Sequence, residues 1–227
     1  MLRSTLVTFL IALFITSIAI STSAQKTIKG HVLGFQKYPL TNVTVESKKS
    51  KQLVKTDSLG FYTIQVSDKD KIQFKTNGFY SIVYKTNKED TIDVNLIYID
   101  TKNSFSSVIE NQVMAENDLS EALENYSDNN NNFFSFQNIF DVVQSVYPSV
   151  VVDDTSSPIR LFLPGKGSSS NQAGHEALLV VNQIRTFDIS DISPVQVKKV
   201  KVLTGNEASM LYGTQGSNGV IEIELKD

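Results

Sequence analysis

The chain has 227 residues, 41% of them hydrophobic and 20% charged, the composition of an ordinary globular protein of one or two domains. Its 21 Lys and Arg against 24 Asp and Glu leave a formal charge of -3, with no basic excess for a phosphate backbone, so nucleic acid is excluded as an expected partner. Cysteine is absent and the histidines are His31 and His175, which excludes disulfides, thiol nucleophiles and thiolate or multi-histidine metal sites; no metal or cofactor is expected.

Residues 1–24 read as a secretory signal peptide. Arg3 and the α-amino group form a positive end, residues 6–20 are apolar except for Thr8, Thr16 and Ser17, and Thr22 and Ala24 stand at the small-residue positions before Gln25. The apolar run falls short of the ~20 residues of a membrane-spanning helix, so cleavage is expected rather than anchoring. Removing Arg3 leaves 20 basic residues against 24 acidic ones, a charge of -4. No later stretch is long and apolar enough for a transmembrane helix, and the mature chain is expected to be exported.

Over residues 25–99 the hydrophobic period is two. Ile28 and Val32, then Val43 and Val45, Tyr62, Ile64 and Val66, Ile72 and Phe74, and Ile92, Val94 and Leu96 alternate with polar neighbours, and two further strands surround Val54 and Val83. Turn signals separate them at Gly34, Pro39, residues 57–60 and Asn77-Gly78. Seven short strands with one apolar face each predict a two-sheet sandwich. Gly30-His31-Val32, Pro39-Leu40-Thr41-Asn42-Val43, Thr56-Asp57-Ser58-Leu59-Gly60-Phe61 and Ile72-Gln73-Phe74 resemble the carboxypeptidase-regulatory-like domain, which implies a transthyretin-like fold and an accessory rather than a peptidase role. In its most specific turn, Asp57 is expected to cap through its side chain and Gly60 to take positive φ.

Residues 100–137 read as a polar linker. Asn129 to Asn132 form a low-complexity run that cannot offset its own chain entropy; a turn or two of helix is expected over 118–126 with Asp118 as N-cap. A partner-binding segment that folds on contact is the alternative.

Residues 138–227 mix helix and strand, so the fold class overall is mainly β with an α+β second domain. Ile139, Val142, Val143 and Val146 predict a helix ended by Tyr147-Pro148. Strands are expected at 150–152, 159–163, 177–181, around Val200 and Val202, and through Ile221, Ile223 and Leu225, the run at 177–181 being buried on both faces. Asn206 is expected to cap a short helix ending at Gly213, with Gly216 to Gly219 as a tight turn. Val200-Lys201-Val202-Leu203-Thr204-Gly205 and Ala208-Ser209-Met210-Leu211-Tyr212-Gly213-Thr214-Gln215-Gly216-Ser217-Asn218-Gly219-Val220-Ile221 resemble the closing motif of the plug domain in TonB-dependent outer-membrane receptors, above all the SusC-like nutrient transporters. Ile159-Arg160 and Val180-Val181-Asn182 resemble two further strand ends of that family. The sequence departs from its pattern at Leu161 and Gln183, where glycines are usual, and 104–115 offers no hydrophobic box for an energising partner. A 22-stranded barrel at ~9–11 residues per strand needs roughly 200–240 residues, so the chain is not expected to form its own pore.

No catalytic constellation emerges. Gly165-Lys166-Gly167-Ser168 fails the phosphate-loop pattern at two positions, Gly-x-Ser-x-Gly is absent, and Asp153-Asp154 is a lone acidic pair. The leading expectation is an exported, non-enzymatic binding protein at the periplasmic face of a Gram-negative outer membrane, working with a separate β-barrel or another envelope protein. The alternative is a truncated SusC-like transporter for glycan or peptide uptake, without transport of its own; a hydrolase using His175 is a third reading. Candidate ligand- or partner-binding residues are Arg160, Lys166, Ser168, Asn171, His175, Asn182 and Arg185, in polar loops suited to a glycan or peptide.

Overall fold

The structure, a computed structural model, describes residues 25–164 and 176–226. Residues 1–24, where a signal peptide is expected, and the candidate residues Lys166, Ser168, Asn171 and His175 lie outside them. Eight strands occupy the first hundred residues: β1 (Lys26–Gly34), β2 (Tyr38–Pro39), β3 (Thr44–Ser47), β4 (Leu53–Lys55), β5 (Phe61–Val66), β6 (Lys71–Lys75), β7 (Ile82–Lys85) and β8 (Val94–Leu96). Strand β1 is the axis of one sheet. Its first part runs antiparallel to β5, with Ile28 opposite Ile64; its last residues run parallel to β8, with Val32 opposite Val94, and pair antiparallel with β2. The second sheet is antiparallel in the order β4-β3-β6-β7.

Alternation decides which side chains face inward. Along β5, Tyr62, Ile64 and Val66 are buried while Phe61, Thr63 and Gln65 are exposed, because successive residues of a strand point to opposite faces. The two sheets meet through rings such as Tyr62 and Phe74, edge to face at 5.4 Å between centroids. The expected count of seven strands is corrected to eight. Strand β2 is two residues long and carries no period to read; it forms because Phe35 and Gln36 take positive φ (53° and 57°) and turn the chain back on β1.

Residues 100–137 are more structured than a linker with a turn or two of helix. They contain α1 (Ser104–Glu110), α2 (Glu116–Asn125) and a 3-10 turn at Ser127–Asn131. Val108, Val113, Met114, Leu119, Ala122, Phe133 and Phe136 are buried. The N-cap of α2 is Ala115 rather than Asp118, which lies in the first turn, where its charge still favours the positive end of the helix.

Helix α3 (Ile139–Val146) begins at Asn138, whose side chain accepts the N–H of Asp141 at 2.9 Å. Strands β9 (Val151–Asp153) and β10 (Arg160–Phe162) form an antiparallel pair. A four-stranded sheet follows in the order β12-β11-β14-β13, from β11 (Leu178–Val181), β12 (Ile184–Thr186), β13 (Val197–Leu203) and β14 (Val220–Leu225), with helix α4 (Gly205–Tyr212) inserted between the last two. Both faces of β11 are covered. Leu179 joins the main core with Ile139, Val143, Ile221 and Ile223, and Val180 joins Leu203, Ala208 and Val220 beside α4. The main core is continuous from Ile28 in β1 to Ile223 in β14. The chain is thus β-rich with four α-helices among the described residues. None of the described helices is long and apolar enough to cross a membrane.

Candidate functional site

Of the seven candidate binding residues, Arg160, Asn182 and Arg185 are described, and each is committed to a partner. Arg160 at the start of β10 forms an ion pair with Glu176 at 2.9 Å. Next to it, the Ala177 N–H donates to the Leu161 carbonyl at 2.8 Å. These contacts tie the start of β10 to the residues just before β11. Asn182 stands at the first position of a two-residue hairpin turn between β11 and β12, with φ 46° followed by Gln183 at 68°. Its side-chain oxygen accepts the N–H of Leu225 at 2.8 Å and its own N–H donates to the Ile223 carbonyl at 2.9 Å. This is a structural use of the side chain. Asn and Gln here occupy left-handed positions that Asn-Gly usually fills.

Arg185 belongs to a row that crosses the whole sheet. Strand register sets Arg185 beside Val180, Val180 beside Glu222 and Glu222 beside Lys201. Helix α4 and the turn after it lie over this row. The Arg185 guanidinium donates to Gln215, the Tyr212 hydroxyl donates to Glu222 at 2.6 Å, and Lys201 pairs with Glu207 at 2.9 Å. The hydrogen bond to Glu222 is the main cause that pushes the Tyr212 phenol above its ordinary range, and the bond to Glu207 does the same for the Lys201 ammonium. The geometry therefore brings Arg185 into a charge row and leaves Arg160 on the separate β9–β10 pair.

The turn and cap residues are placed as follows. Asp57 Oδ1 accepts the N–H groups of Leu59 and Phe61, both at 2.9 Å, and Gly60 has φ 77°. The N-cap of α4 is Thr204, so Asn206 is not the cap; Gly205 at φ 57° lets the chain enter the helix earlier. Gly213 ends α4 with φ 63°. The Gly219 N–H closes on the Gly216 carbonyl at 2.9 Å, and a Cβ on Gly216 would stand 2.3 Å from the Ala208 carbonyl oxygen.

Among the described residues no group of three His, Cys, Asp or Glu could hold a metal ion. His31 lies in the first sheet rather than free in solvent, its Nε2 2.6 Å from the Leu59 carbonyl and its ring stacked on Phe61. The sequence reading missed the exposed apolar side chains around the hairpin and α4: Phe187 is 90% exposed, Met210 85% and Ile184 71%. A lone Phe inside Arg185-Thr186-Phe187-Asp188 was the signal for the first of these.

No protein-family model matches the chain. Over 201 residues the chain is 25% identical to TonB-dependent receptor P26 of Formosa agariphila, a likeness covering 82% of this chain and 19% of that receptor. The chain thus spans about a fifth of the length of the relative it matches, and the likeness relates it to a receptor of that kind.

Proposed function

We propose that the chain is an exported, non-enzymatic binding or interaction protein that works at the periplasmic face of an outer membrane with a separate β-barrel or another envelope protein. The observation that carries this reading is the likeness to a TonB-dependent receptor along 82% of the chain. On this reading residues 25–99 form a transthyretin-like, carboxypeptidase-regulatory-like sandwich and 138–227 a plug-like domain. The exposed Ile184, Phe187 and Met210 supply apolar side chains that a partner could cover. Its ligand class is a glycan or a peptide, met by polar residues within 166–175 and 182–191.

The test is a pull-down. The chain, tagged at its carboxyl end, is isolated from gently solubilised envelopes and its companions are identified. A stoichiometric β-barrel supports action in trans. Recovery as a partner-free soluble protein overturns it. The alternative, a SusC-like transporter fragment without activity of its own, draws on the 19% coverage of the relative and expects a barrel coding frame directly downstream.

A further inference from the structure

A polar cleft of about 360 Å³ opens on the outer face of the β4-β3-β6-β7 sheet, beside the carboxyl end of α1, and Asn42, Thr44, Lys55, Lys75, Asn77 and Asn111 line it. Strand register explains the lysines. Thr44 is the pairing partner of Lys55 on β4 and of Lys75 on β6, so the three side chains stand in one row. The next row, Val45 with Val54 and Phe74, points to the opposite face. Adjacent strands are about 4.8 Å apart, which sets the two lysine Cα atoms roughly 10 Å from each other across Thr44.

The charge in this row is uncompensated. Neither Lys55 nor Lys75 has a hydrogen-bond or ion-pair partner for its ammonium among the described residues, and no carboxylate lines the cleft. Several other lysines of the same region have acidic partners. Lys26 pairs with Asp90, Lys37 with Glu121 and Lys48 with Glu46. Lys71 and Lys85, directly opposite one another on β6 and β7, share the field of the Asp141 carboxylate. At roughly 10 Å across Thr44 the two exposed ammonium groups repel each other only weakly, because salt screens charges at that separation, and both remain available to a group outside the chain.

The rest of the cleft is prebuilt and rich in donors. Its wall at the end of α1 is held by Thr41, whose N–H donates to the Val113 carbonyl at 2.9 Å, and by Asn42, whose amide donates to the Gln112 carbonyl at 3.3 Å. The carbonyls that would repel an anion there are thereby occupied. The Thr44 hydroxyl and the Asn77 amide remain to donate, while the Asn111 amide already donates to the Ser107 carbonyl at 2.8 Å. We propose that the cleft between Lys55 and Lys75 is a binding site for an oxyanion, the carboxylate or phosphoryl group of a small polar ligand. Two ammonium groups and neutral donors around a shallow polar floor are the complement of such a group. The site is independent of the partner surface on the other half of the chain.

The test uses the mature chain labelled with ¹⁵N, titrated at fixed ionic strength with inorganic phosphate and, separately, with succinate. The expected result is a saturable shift confined to the amides of Thr44, Lys55, Lys75 and Asn77 with at least one of the two anions. Saturation with phosphate alone assigns a phosphoryl group, and saturation with succinate alone a carboxylate. The double variant Lys55→Gln/Lys75→Gln is expected to bind at least about tenfold more weakly, while Lys88→Gln, on an exposed loop, binds as the parent does. Shifts that never saturate, that spread over the lysines generally, or that persist at parental affinity in the double variant overturn the proposal. Both substitutions are at exposed positions, and an unchanged spectrum away from the cleft verifies that the variant is folded.

Discussion

The side-chain amide of Asn130 makes both hydrogen bonds of a strand rung with Tyr98: its oxygen accepts the Tyr98 N–H at 2.7 Å and its nitrogen donates to the Tyr98 carbonyl at 3.0 Å. Gln137 does the same with Lys85, at 3.0 Å in each direction. Two carboxamides thereby satisfy backbone groups that a neighbouring strand would otherwise have to meet. Asn130→Asp keeps the acceptor, loses the donor and turns a carboxylate toward a carbonyl. It is expected to destabilise the chain by about 1–3 kcal/mol at neutral pH. Chemical denaturation would measure it, and a variant as stable as the parent would show that the rung contributes nothing.

Gly30 is fixed by its neighbour. A Cβ there would stand 1.8 Å from the Ile92 carbonyl oxygen, which also accepts the Tyr62 hydroxyl at 2.8 Å. The obstacle is backbone, so it cannot rotate away. Gly30→Ala is expected to cost about 2–4 kcal/mol through displacement of the segment before β8. Loss of amide-exchange protection at Ile92 and Val94 would accompany it; a Tm within a degree of the parent would contradict it.

Asp70 gives the fold an acid limb. The residue is 1% exposed, and burial alone would raise its carboxyl. Donation from Ser47 Oγ at 2.5 Å and from the N–H groups of Lys49, Lys71 and Ser67 at 2.9, 2.7 and 3.2 Å outweighs burial and holds it below its usual 3.8. A carboxylate depressed in the folded state contributes stability above the unfolded value, and that stability is lost as pH falls through the folded value. Stability should therefore drop below about pH 4, the ordinary carboxylate range. Asp70→Asn should be less stable by about 1–3 kcal/mol at pH 7 and show a flatter acid limb. Parallel denaturation series at pH 7 and pH 3 would decide, an unchanged slope in the variant counting against the assignment.

The hairpin turn at Asn182 and Gln183 holds a removable strain. Gln183 sits at φ 68°, where a side chain costs about 1 kcal/mol relative to glycine. Gln183→Gly is expected to raise Tm by a few degrees, about 2–4 °C for a chain of this size. Asn182→Ala should lower it, since the bond to the Leu225 N–H is lost as well. Differential scanning calorimetry would measure both, and a fall in Tm for Gln183→Gly would show that the turn depends on the glutamine side chain.

Much of the local structure was legible because it follows from period and from residues adjacent in sequence. Ile139, Val142, Val143 and Val146 specify α3, and its observed bounds are Ile139–Val146. The alternation through Tyr62, Ile64 and Val66 specifies which face of β5 is buried. The run before Asn182 specifies a strand covered on both sides, as Leu179 and Val180 show. Caps were less legible. The starts of α2 and α4 shift by a few residues because backbone conformation at Ala115 and Gly205 outweighs the cap preference of Asp118 and Asn206.

The sequence by itself determined an ordinary, cysteine-free, mildly acidic chain of short strands followed by mixed helix and strand, since composition and period act within a few residues of each other. Tertiary structure alone decided what the asparagine run does, because the partner of Asn130 is Tyr98, thirty-two positions away. It alone decided that Lys55 and Lys75 flank Thr44, because strands β4 and β6 become neighbours of β3 only through long-range pairing. Side chains that read as solvated one by one share a field when register aligns them, and register is set by the burial of the opposite face.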